Sequence, residues 1–448
     1  MLVVRNILKS VVSSVVTNTV QLGSVLNQWY GAEWDITESS PSVTRIASST
    51  VAMDLHASLP IQSAIKGCLL NANGTVNYYL NGNDWTKKAD DTASVLDGTD
   101  GNVMVELPKY YAKFESNGNT RSVKFSVKAI AGFIQIPKMY ISAYEASLNR
   151  TNSKLSSVVN TSADYRGGNN NAALDASANS LLGKPATAIS RTNYRTYARN
   201  NGTGWQMNFY NAHKNMWWLF MVEFANRNSQ SPVNATLTTE GFRQGGLGVG
   251  VTDANSTEWS NFSSYYPFVN CGASNSLGNN SGEVDTVIAD FGGVGVDRTF
   301  KVNRYRGIEM PFGHIWKNCD GINIKIQSVA DGDESQVWIS DDPATWNDSN
   351  YTDYENKGLL PRANGYMSEV IFGAGGEFLP KVAAGLSSTY FCDYFYTSIP
   401  ESGTNLHTLL LGGGAFFGSD AGFSYSASDF SPSFTNASFG SRLCFLGA

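Results

Sequence analysis

The sequence is poor in residues that build covalent or strongly charged frameworks. Its five cysteines, Cys68, Cys271, Cys319, Cys392 and Cys444, are odd in number, lie far apart and form no C-x-x-C pair, which excludes a disulfide scaffold and most zinc sites. Only 32 lysines and arginines stand against 38 acidic residues. With no basic run, the sequence predicts no nucleic-acid partner. No stretch reaches the roughly 20 apolar residues of a membrane span, which predicts no membrane insertion.

Signatures of catalysis are also missing. No G-x-S-x-G nucleophile motif occurs. The histidines lie singly, none at metal-ligand spacing from another, and a structural role is expected for each of them: His56, His213, His314 and His407. We therefore expect no catalytic residue, no metal site and no cofactor, and a protein that is not an enzyme.

Two local clusters leave alternatives open. His314, Cys319 and Asp320 lie close in sequence, which fits either a thiolate activated by an imidazole or plain packing, and packing is favoured. The tripeptide Trp346-Asn347-Asp348 is used by calcium-dependent lectins, but no E-P-N or Q-P-D triplet accompanies it. A turn capped by the Asx side chains is favoured there over a calcium site.

The first part of the chain predicts an attachment segment and a small β-rich unit. Residues 1–45 begin with short apolar runs and two basic residues but lack a clear signal cleavage site, so a short association helix is favoured over a cleaved signal. Residues 46–127 contain a strand, an Asn73-Gly74 turn, a second strand and then two further period-2 segments. A boundary is predicted near residue 127.

Residues 128–448 predict a second domain with few helices and long loops. A strand leading into a helix start is expected around residues 131–146. The clearest helix is predicted around residues 208–230, where apolar side chains recur every three or four positions. No further helix is expected after it, only short strands between loops rich in Gly, Asn, Ser and Asp. The fold class predicted for the whole chain is α+β.

Residues 412–445 are built from little more than Gly, Ser, Phe, Ala, Asp and Tyr. The same mixture is typical of antibody binding loops, where aromatic rings supply contact area and small polar residues supply adaptable hydrogen bonds. A glycine-rich low-complexity loop is the alternative reading.

Several segments together resemble a known family: "IPKMYISAYEA", "NAHKNMWWLFMVEFANRNSQ", "PFGHIWKNCDGINI", "FLPKVAAGLSSTYFCDYFYT" and "LLLGGGAFFGSDAG". They resemble the C-type-lectin-like fold of formylglycine-generating enzymes, and more closely the variable proteins of diversity-generating retroelements, including phage tail-tip receptor-binding proteins. The resemblance implies a C-type-lectin-like domain over residues 128–448. Upstream segments are similar to tail-fibre proteins of phages and prophages.

In that family a reverse transcriptase copies a template with errors at adenines. Asparagine codons of the template thereby become many other codons in the gene, but never codons for Lys, Glu, Gln, Met or Trp. Residues 414–439 contain none of these five residue types. The resemblance therefore implies a variable region over residues 414–439. The ligand-binding positions it implies are Gly414, Phe416, Phe417, Asp420, Ser424, Tyr425, Ser426, Ser428, Asp429, Phe430, Phe434, Asn436, Ser438 and Phe439. We expect these side chains to face solvent, and Arg442 nearby to be buried and paired.

The function implied by the resemblance is that of a receptor-binding protein in the tail fibre of a phage or prophage virion. Its expected partners are a bacterial surface protein or polysaccharide, two further copies of the chain in a homotrimer, and other tail-fibre proteins. The first alternative is a variable ligand-binding protein on the surface of a bacterium or secreted by it. The second is an oxidase of the formylglycine-generating type, which is disfavoured because Cys392 and Cys444 cannot be matched to its copper-binding pair.

Overall fold

The structure, a computed structural model, describes residues 27–447. Residues 1–26, which hold most of the predicted attachment segment, lie outside the described residues. Between residues 27 and 447 strands far outnumber helices, so the fold is β-rich with few helices and of the mixed α+β class. No helix in this part of the chain is long and apolar enough to cross a membrane.

The elements of residues 27–447 are short and numerous. The helices are α1 (Leu55–Ser58), α2 (Arg191–Arg199), α3 (Tyr210–Phe224) and α4 (Ser256–Ser263). The strands before α3 are β1 (Tyr30–Asp35), β2 (Thr44–Ala47), β3 (Lys66–Leu70), β4 (Val76–Tyr79), β5 (Asn102–Leu107), β6 (Tyr110–Asn117), β7 (Thr120–Ser126), β8 (Ile134–Ile136), β9 (Met139–Ser142), β10 (Ser147–Asn149), β11 (Lys154–Ser156) and β12 (Trp205–Met207).

The second half of the chain is almost entirely strands and loops. Its strands are β13 (Val233–Asn234), β14 (Gln244–Gly245), β15 (Gly282–Ile288), β16 (Arg298–Tyr305), β17 (Ile308–Glu309), β18 (Trp316–Gln327), β19 (Ser335–Ile339), β20 (Glu355–Leu359), β21 (Gly365–Tyr366), β22 (Glu369–Ile371), β23 (Leu379–Val382), β24 (Tyr394–Tyr396), β25 (Thr404–Leu411), β26 (Ser426–Ala427), β27 (Phe439–Gly440) and β28 (Leu443–Leu446).

Three large sheets contain most of these strands. Their strand orders are β2-β1-β7-β6-β8, β12-β28-β9-β5-β3-β4 and β20-β19-β18-β25-β26-β24-β21, and β27 also pairs with β18 in the third sheet. A smaller sheet has the order β15-β16-β17. The remaining strands form the hairpins β10-β11, β13-β14 and β22-β23.

The first two sheets connect residues on both sides of the boundary predicted near residue 127. In the second sheet β9 pairs with β5 on one side and with the C-terminal β28 on the other, so that Ile141 lies between Val105 and Cys444. In the first sheet β8 pairs with β6. Backbone hydrogen bonds therefore cross residue 127, and the two predicted units share sheets.

Helix α3 lies in the main hydrophobic core. The helix expected around residues 208–230 is confirmed, but its predicted amphipathic pattern understates its burial, because every residue except Asn211 is buried. Trp217 stacks on Phe378 with ring centroids 3.8 Å apart, and the indole N–H of Trp218 donates to the Gly376 carbonyl. Burial on all sides, which here includes Lys214 and Glu223, is the property of an enclosed core helix and not of a surface helix.

Three helices were not expected from the sequence: the four-residue α1, α2 and α4. Helix α2 lies in a polar stretch, and its buried side chains include Arg191 and Arg195, which are paired with acidic residues. Helix α4 contradicts the expectation of no helix after α3. It is only eight residues long and is capped by the Asn255 side chain, which accepts from two backbone N–H groups. In α2 and α4 only two apolar residues each are buried at helical spacing, Tyr194 and Ala198 in α2 and Trp259 and Phe262 in α4, which is too short a pattern for the prediction.

The helix start expected after β9 is wrong. Residues 143–146 are irregular, because their backbone N–H groups bond to other strands and not to a preceding helical turn. The Ala143 N–H donates to the Val103 carbonyl, and the Ala146 N–H donates to the Ser441 carbonyl. The strands predicted around the Asn73-Gly74 turn are confirmed as β3 and β4. The two period-2 segments predicted after them form three strands, β5 to β7.

Candidate functional site

A pocket of about 370 Å³ near the C-terminal end of the chain is lined mainly by aromatic side chains. Its volume lies within the range of ordinary ligand sites. The lining residues are Tyr265, Trp316, Tyr396, Phe416, Phe417, Tyr425, Ala427, Asp429, Phe430, Asn436, Ser438 and Phe439. Most of them come from one short stretch, residues 416–439.

The buried part of the pocket is built on strands of the third sheet. Trp316 begins β18 and packs on Tyr425 with ring centroids 4.6 Å apart. β27 runs parallel to β18, with Phe439 paired to Trp316. Because these rings are anchored on hydrogen-bonded strands, the pocket has a fixed wall before any ligand arrives.

Two groups of phenylalanines form the more exposed part. Phe416 stacks on Phe417 at 4.8 Å between ring centroids, and Phe430 stacks on Phe434 at 4.4 Å. Phe416 and Phe434 are each 40 % exposed. Phe417 and Phe430 are partly buried behind them. The pocket therefore presents apolar rings to solvent on a supported base.

Strand alternation decides which residues of the segment reach the pocket. β26 lies between β25 and β24 and pairs with both. Successive side chains of a strand point to opposite faces. Within β26, Ala427 accordingly lines the pocket and Ser426 does not. On either side of the strand, Tyr425 and Asp429 line the pocket, whereas the serines at 424 and 428 do not. Tyr425 and Ala427 are themselves only 2 % and 3 % exposed, so they form its buried base.

The buried serines join the segment to the interior. The Ser424 N–H donates to the Asp393 carboxylate at 2.7 Å, and the Ser424 hydroxyl donates to the same oxygen. The Ser428 hydroxyl donates to Thr397 Oγ1 at 3.1 Å. These side chains hold the strand in place and do not face the pocket.

Two glycines bring the segment close to its neighbours. Gly413 has φ +78°, and a Cβ there would lie 2.7 Å from the Tyr425 ring. A Cβ at Gly422 would lie 2.0 Å from Asp393 Oδ1. Both positions need glycine, so the turn after β25 belongs to the fixed frame of the pocket.

Asp429 is the one carboxylate among the residues that line the pocket. Its Oδ1 is buried and has no hydrogen-bond partner within residues 27–447. Burial raises the pKa of Asp429 to about 6. At pH 7 the group is mostly ionised and carries an uncompensated negative charge.

The structure places the predicted ligand-binding residues in two groups. Eight of them line the pocket: Phe416, Phe417, Tyr425, Asp429, Phe430, Asn436, Ser438 and Phe439. The others do not line it: Gly414, Asp420, Ser424, Ser426, Ser428 and Phe434. Phe434 still supports the pocket by stacking on Phe430, whereas Asp420 accepts a hydrogen bond from the Tyr366 hydroxyl.

The expectation that all fourteen predicted residues face solvent is wrong for six of them. Those that are buried are Gly414, Ser424, Tyr425, Ser426, Ser428 and Phe439. The pairing of β26 with β25 and β24 accounts for the burial of Ser426, and the pairing of β27 with β18 accounts for that of Phe439. Tyr425 is covered by its packing on Trp316. Arg442 is buried as expected, but its guanidinium donates to backbone carbonyls, including those of Ser142 and Met310.

Four pocket residues were not predicted as ligand-binding: Tyr265, Trp316, Tyr396 and Ala427. Trp316 is 5 % exposed and so belongs to the core as well as to the pocket lining. Tyr265, Trp316 and Tyr396 lie outside residues 414–439, so the composition of that segment could not identify them. The alternation of serine with other residues over 424–429 was the signal that could have separated the pocket face of β26 from its buried face.

The other candidate clusters have structural partners. His314 Nδ1 lies 2.6 Å from the buried Glu145 carboxylate, which also pairs with Lys317 at 2.8 Å. Asp320 accepts from Arg195 at 2.6 Å, and burial keeps the pKa of the Cys319 thiol well above its usual value. The arrangement favours packing over an activated thiolate.

At the Trp346-Asn347-Asp348 tripeptide, Asp348 pairs with the arginines of α2. Its carboxylate lies 2.6 Å from Arg191 Nε and 2.8 Å from Arg195 Nη2. The two guanidinium groups occupy the oxygens that a calcium ion would need. No group of three or more His, Cys, Asp or Glu side chains suited to a metal ion is found among residues 27–447.

No protein-family model matches the sequence, and no curated protein is significantly similar to it. Among solved structures, the chain is similar to the Major Tropism Determinant U1 Variant at 10 % sequence identity, over 79 % of this chain and 83 % of that one. The TM-score of this match is 0.21. A score this low does not establish a shared fold.

Proposed function

We propose that this chain is a receptor-binding protein that attaches to a molecule on a bacterial surface through the aromatic pocket. The observation that carries the proposal is the pocket itself: one short segment, residues 416–439, supplies most of a concave aromatic surface on a frame fixed by strands and glycines. The proposed function is ligand binding and not catalysis.

The energetics of the exposed rings support this function. Phe416 and Phe434 leave apolar area in water that folding alone does not cover. Exposed rings at a concave, partly polar site are typical of binding surfaces, where aromatic residues that become buried contribute most of the affinity. A ligand that covers them gains about 25 cal/mol for each Å² of apolar surface removed from water.

The finer proposal follows the resemblance of the sequence. In it, residues 128–448 are a C-type-lectin-like scaffold, residues 414–439 are its diversified region, and the protein belongs to the tail fibre of a phage or prophage. Three copies assemble beside other tail-fibre proteins. Several weak sites on one particle would then act together and raise the overall avidity.

The binding proposal is tested by removing the two exposed rings. Phe416→Ser and Phe434→Ser should each lower attachment of the labelled chain to receptive bacterial cells about tenfold, the loss expected for an aromatic anchor of an interface. The free energy of unfolding should fall by only about 1 kcal/mol, because each residue is already 40 % exposed in the folded protein. Cell binding by flow cytometry and thermal denaturation measure the two effects.

Val329→Ser is the matched control, since Val329 is 74 % exposed and does not line the pocket. It should leave attachment unchanged. If the phenylalanine variants bind cells as well as the control does, the pocket is not the receptor site.

Diversification has a separate test in the DNA that follows the gene. A near-copy of the codons for residues 400–445, differing almost only where the copy carries adenine and lying beside a reverse-transcriptase gene, is the expected result. Its differences should fall on pocket codons such as those of Tyr425 and Asp429. If sequencing finds no such copy, the pocket is a fixed surface and the diversified-region proposal fails.

A further inference from the structure

We infer that the aromatic pocket takes a ligand group that is positively charged and partly apolar, an alkylammonium or guanidinium such as the side chain of a lysine or arginine. This inference rests on the proposed binding function and names the chemistry that the pocket selects. It is carried by the aromatic lining and by the Asp429 carboxylate, whose Oδ1 has no hydrogen-bond partner within residues 27–447.

The first step is the charge of the pocket. Asp429 is its single ionisable carboxylate, and no lysine, arginine or histidine lines it within residues 27–447. No ion pair of Asp429 is formed in the same part of the chain. A partly buried carboxylate without a partner is unfavourable. A ligand that supplies the missing cation removes that penalty.

The second step is the aromatic surround. Trp316, Tyr425 and Phe417 pack against one another with ring centroids 4.6 to 5.5 Å apart. The faces of aromatic rings attract cations, tryptophan most strongly. Aromatic rings next to a single carboxylate therefore fit a ligand that carries a cationic group on an apolar chain.

The third step separates a cation from a sugar. A sugar ring can also stack on aromatic residues, but a neutral sugar brings no positive charge to Asp429. The amide oxygen of Asn436 already accepts from the Ser438 N–H at 3.0 Å and from its hydroxyl at 3.1 Å. Asp429 is the one anionic acceptor of the pocket lining, and one anionic acceptor fits one cationic group.

Butylammonium chloride and 1-butanol test the inference, because they share the same apolar stem and differ in charge. We expect butylammonium to bind the full-length protein about tenfold more tightly than butanol, as expected from a cation–π contact combined with a partly buried ion pair. Titrations followed by saturation-transfer difference NMR measure both dissociation constants. Equal constants for the two probes in the wild-type protein overturn the inference without any variant.

The variant Asp429→Asn provides a second test of the inference. Since Asp429 Oδ1 has no partner to lose, we expect the variant to stay folded, to lose the preference for butylammonium and to bind butanol as before. Asp420→Asn is the matched control, because that carboxylate bonds to Tyr366 outside the pocket lining, and it should keep the preference. A preference that survives Asp429→Asn also overturns the inference.

The source of the cation is distinguished with three more probes. Nα-acetyl-lysine amide or Nα-acetyl-arginine amide binding more tightly than choline indicates a protein side chain, and the reverse order indicates a lipid or polymer headgroup. Tighter binding of methyl glucoside than of any cationic probe overturns the inference.

Failure of the inference and failure of the proposed function give different results. If Phe416→Ser abolishes cell attachment but butylammonium binds no better than butanol, the pocket is a receptor site for a different chemistry. If Phe416→Ser leaves attachment intact, the proposed function itself is wrong.

Discussion

A single buried carboxylate lies directly beneath the pocket segment. Asp393 Oδ2 accepts from the Ser424 backbone at 2.7 Å, whereas Oδ1 has no partner within residues 27–447 and faces Gly422. Burial raises the pKa of Asp393 to about 8. In the folded protein the Asp393 carboxyl group therefore keeps its proton up to about pH 8. In an unfolded chain the same group loses its proton near pH 4.

This shift predicts a pH dependence of stability. Because the folded pKa lies above the unfolded one, the contribution of Asp393 is complete below about pH 4 and is lost as pH rises through about 8. Asp393→Asn keeps a neutral polar group at the site. The melting temperature of the variant, measured by circular dichroism from pH 5 to 8, should rise relative to the wild type as pH increases.

Other titrating groups contribute equally to the wild type and to Asp393→Asn. The difference between the melting temperatures of the two proteins therefore isolates the contribution of Asp393. Asp420→Asn serves as a second reference and should follow the wild-type curve. Parallel curves for wild type and Asp393→Asn would contradict the assignment of the shift to Asp393.

At the scale of residues, the sequence identified much of the pocket but not its shape. The unusual composition of residues 412–445 drew attention to Phe416, Phe430 and Asp429. Composition does not report neighbours that are distant along the chain, so Trp316 and Tyr265 were not assigned to the site. Those contacts depend on how β18 and α4 are placed beside the segment, which is a property of the tertiary structure.

At the scale of elements, β26 has one face fixed by packing and one face that opens on the pocket. Ser426 is 1 % exposed and packs into the interior, whereas its neighbour Ala427 lines the pocket. The two residues are adjacent and similar in size, so they form a matched pair for substitution.

We expect Ser426→Phe to lower the free energy of unfolding by about 3 kcal/mol, because overpacking a dense interior forces side chains and backbone apart. Ala427→Phe should cost about 1 kcal/mol or less, since the new ring can extend into the pocket. Urea denaturation followed by tryptophan fluorescence compares them. Equal losses in the two variants would mean that the faces of β26 are not distinct.

The sequence predicted α3 and the strands β3 to β7 from their local apolar patterns, although the pattern of α3 understated its burial. α2 and α4 were missed because each has few apolar residues. α2 is stabilised by buried arginines paired with Asp320 and Asp348, and α4 by an Asn255 cap and two buried aromatic rings. Charge pairs between residues so far apart in the chain leave no local pattern.

At the scale of the whole molecule, the sheets predict that residues 27–447 unfold together. Strand β9 is hydrogen-bonded to β5 from before residue 127 and to β28 from the end of the chain. Separating the two predicted domains would break this sheet and expose the edge of β9. Exposed strand edges favour aggregation.

We therefore expect one cooperative transition for the full-length protein in scanning calorimetry, and an unfolded or aggregated product when the chain is shortened to residues 128–448. Circular dichroism of the shortened chain checks the second point. Two well-separated transitions, or a folded fragment, would instead support independent domains. The sequence could not decide this, because pairing between β5 and β9 depends on strand order and not on composition.

The placement of β26 between two partner strands also limits how new pocket sequences can arise. A substitution at position 425, 427 or 429 changes what the pocket presents, while one at 424, 426 or 428 changes whether the chain folds. Inserting or deleting a single residue would exchange the two sets. Useful variants of this strand should therefore differ at alternate codons and keep a constant length, and a laboratory library restricted in that way should contain far more folded members than one randomised throughout.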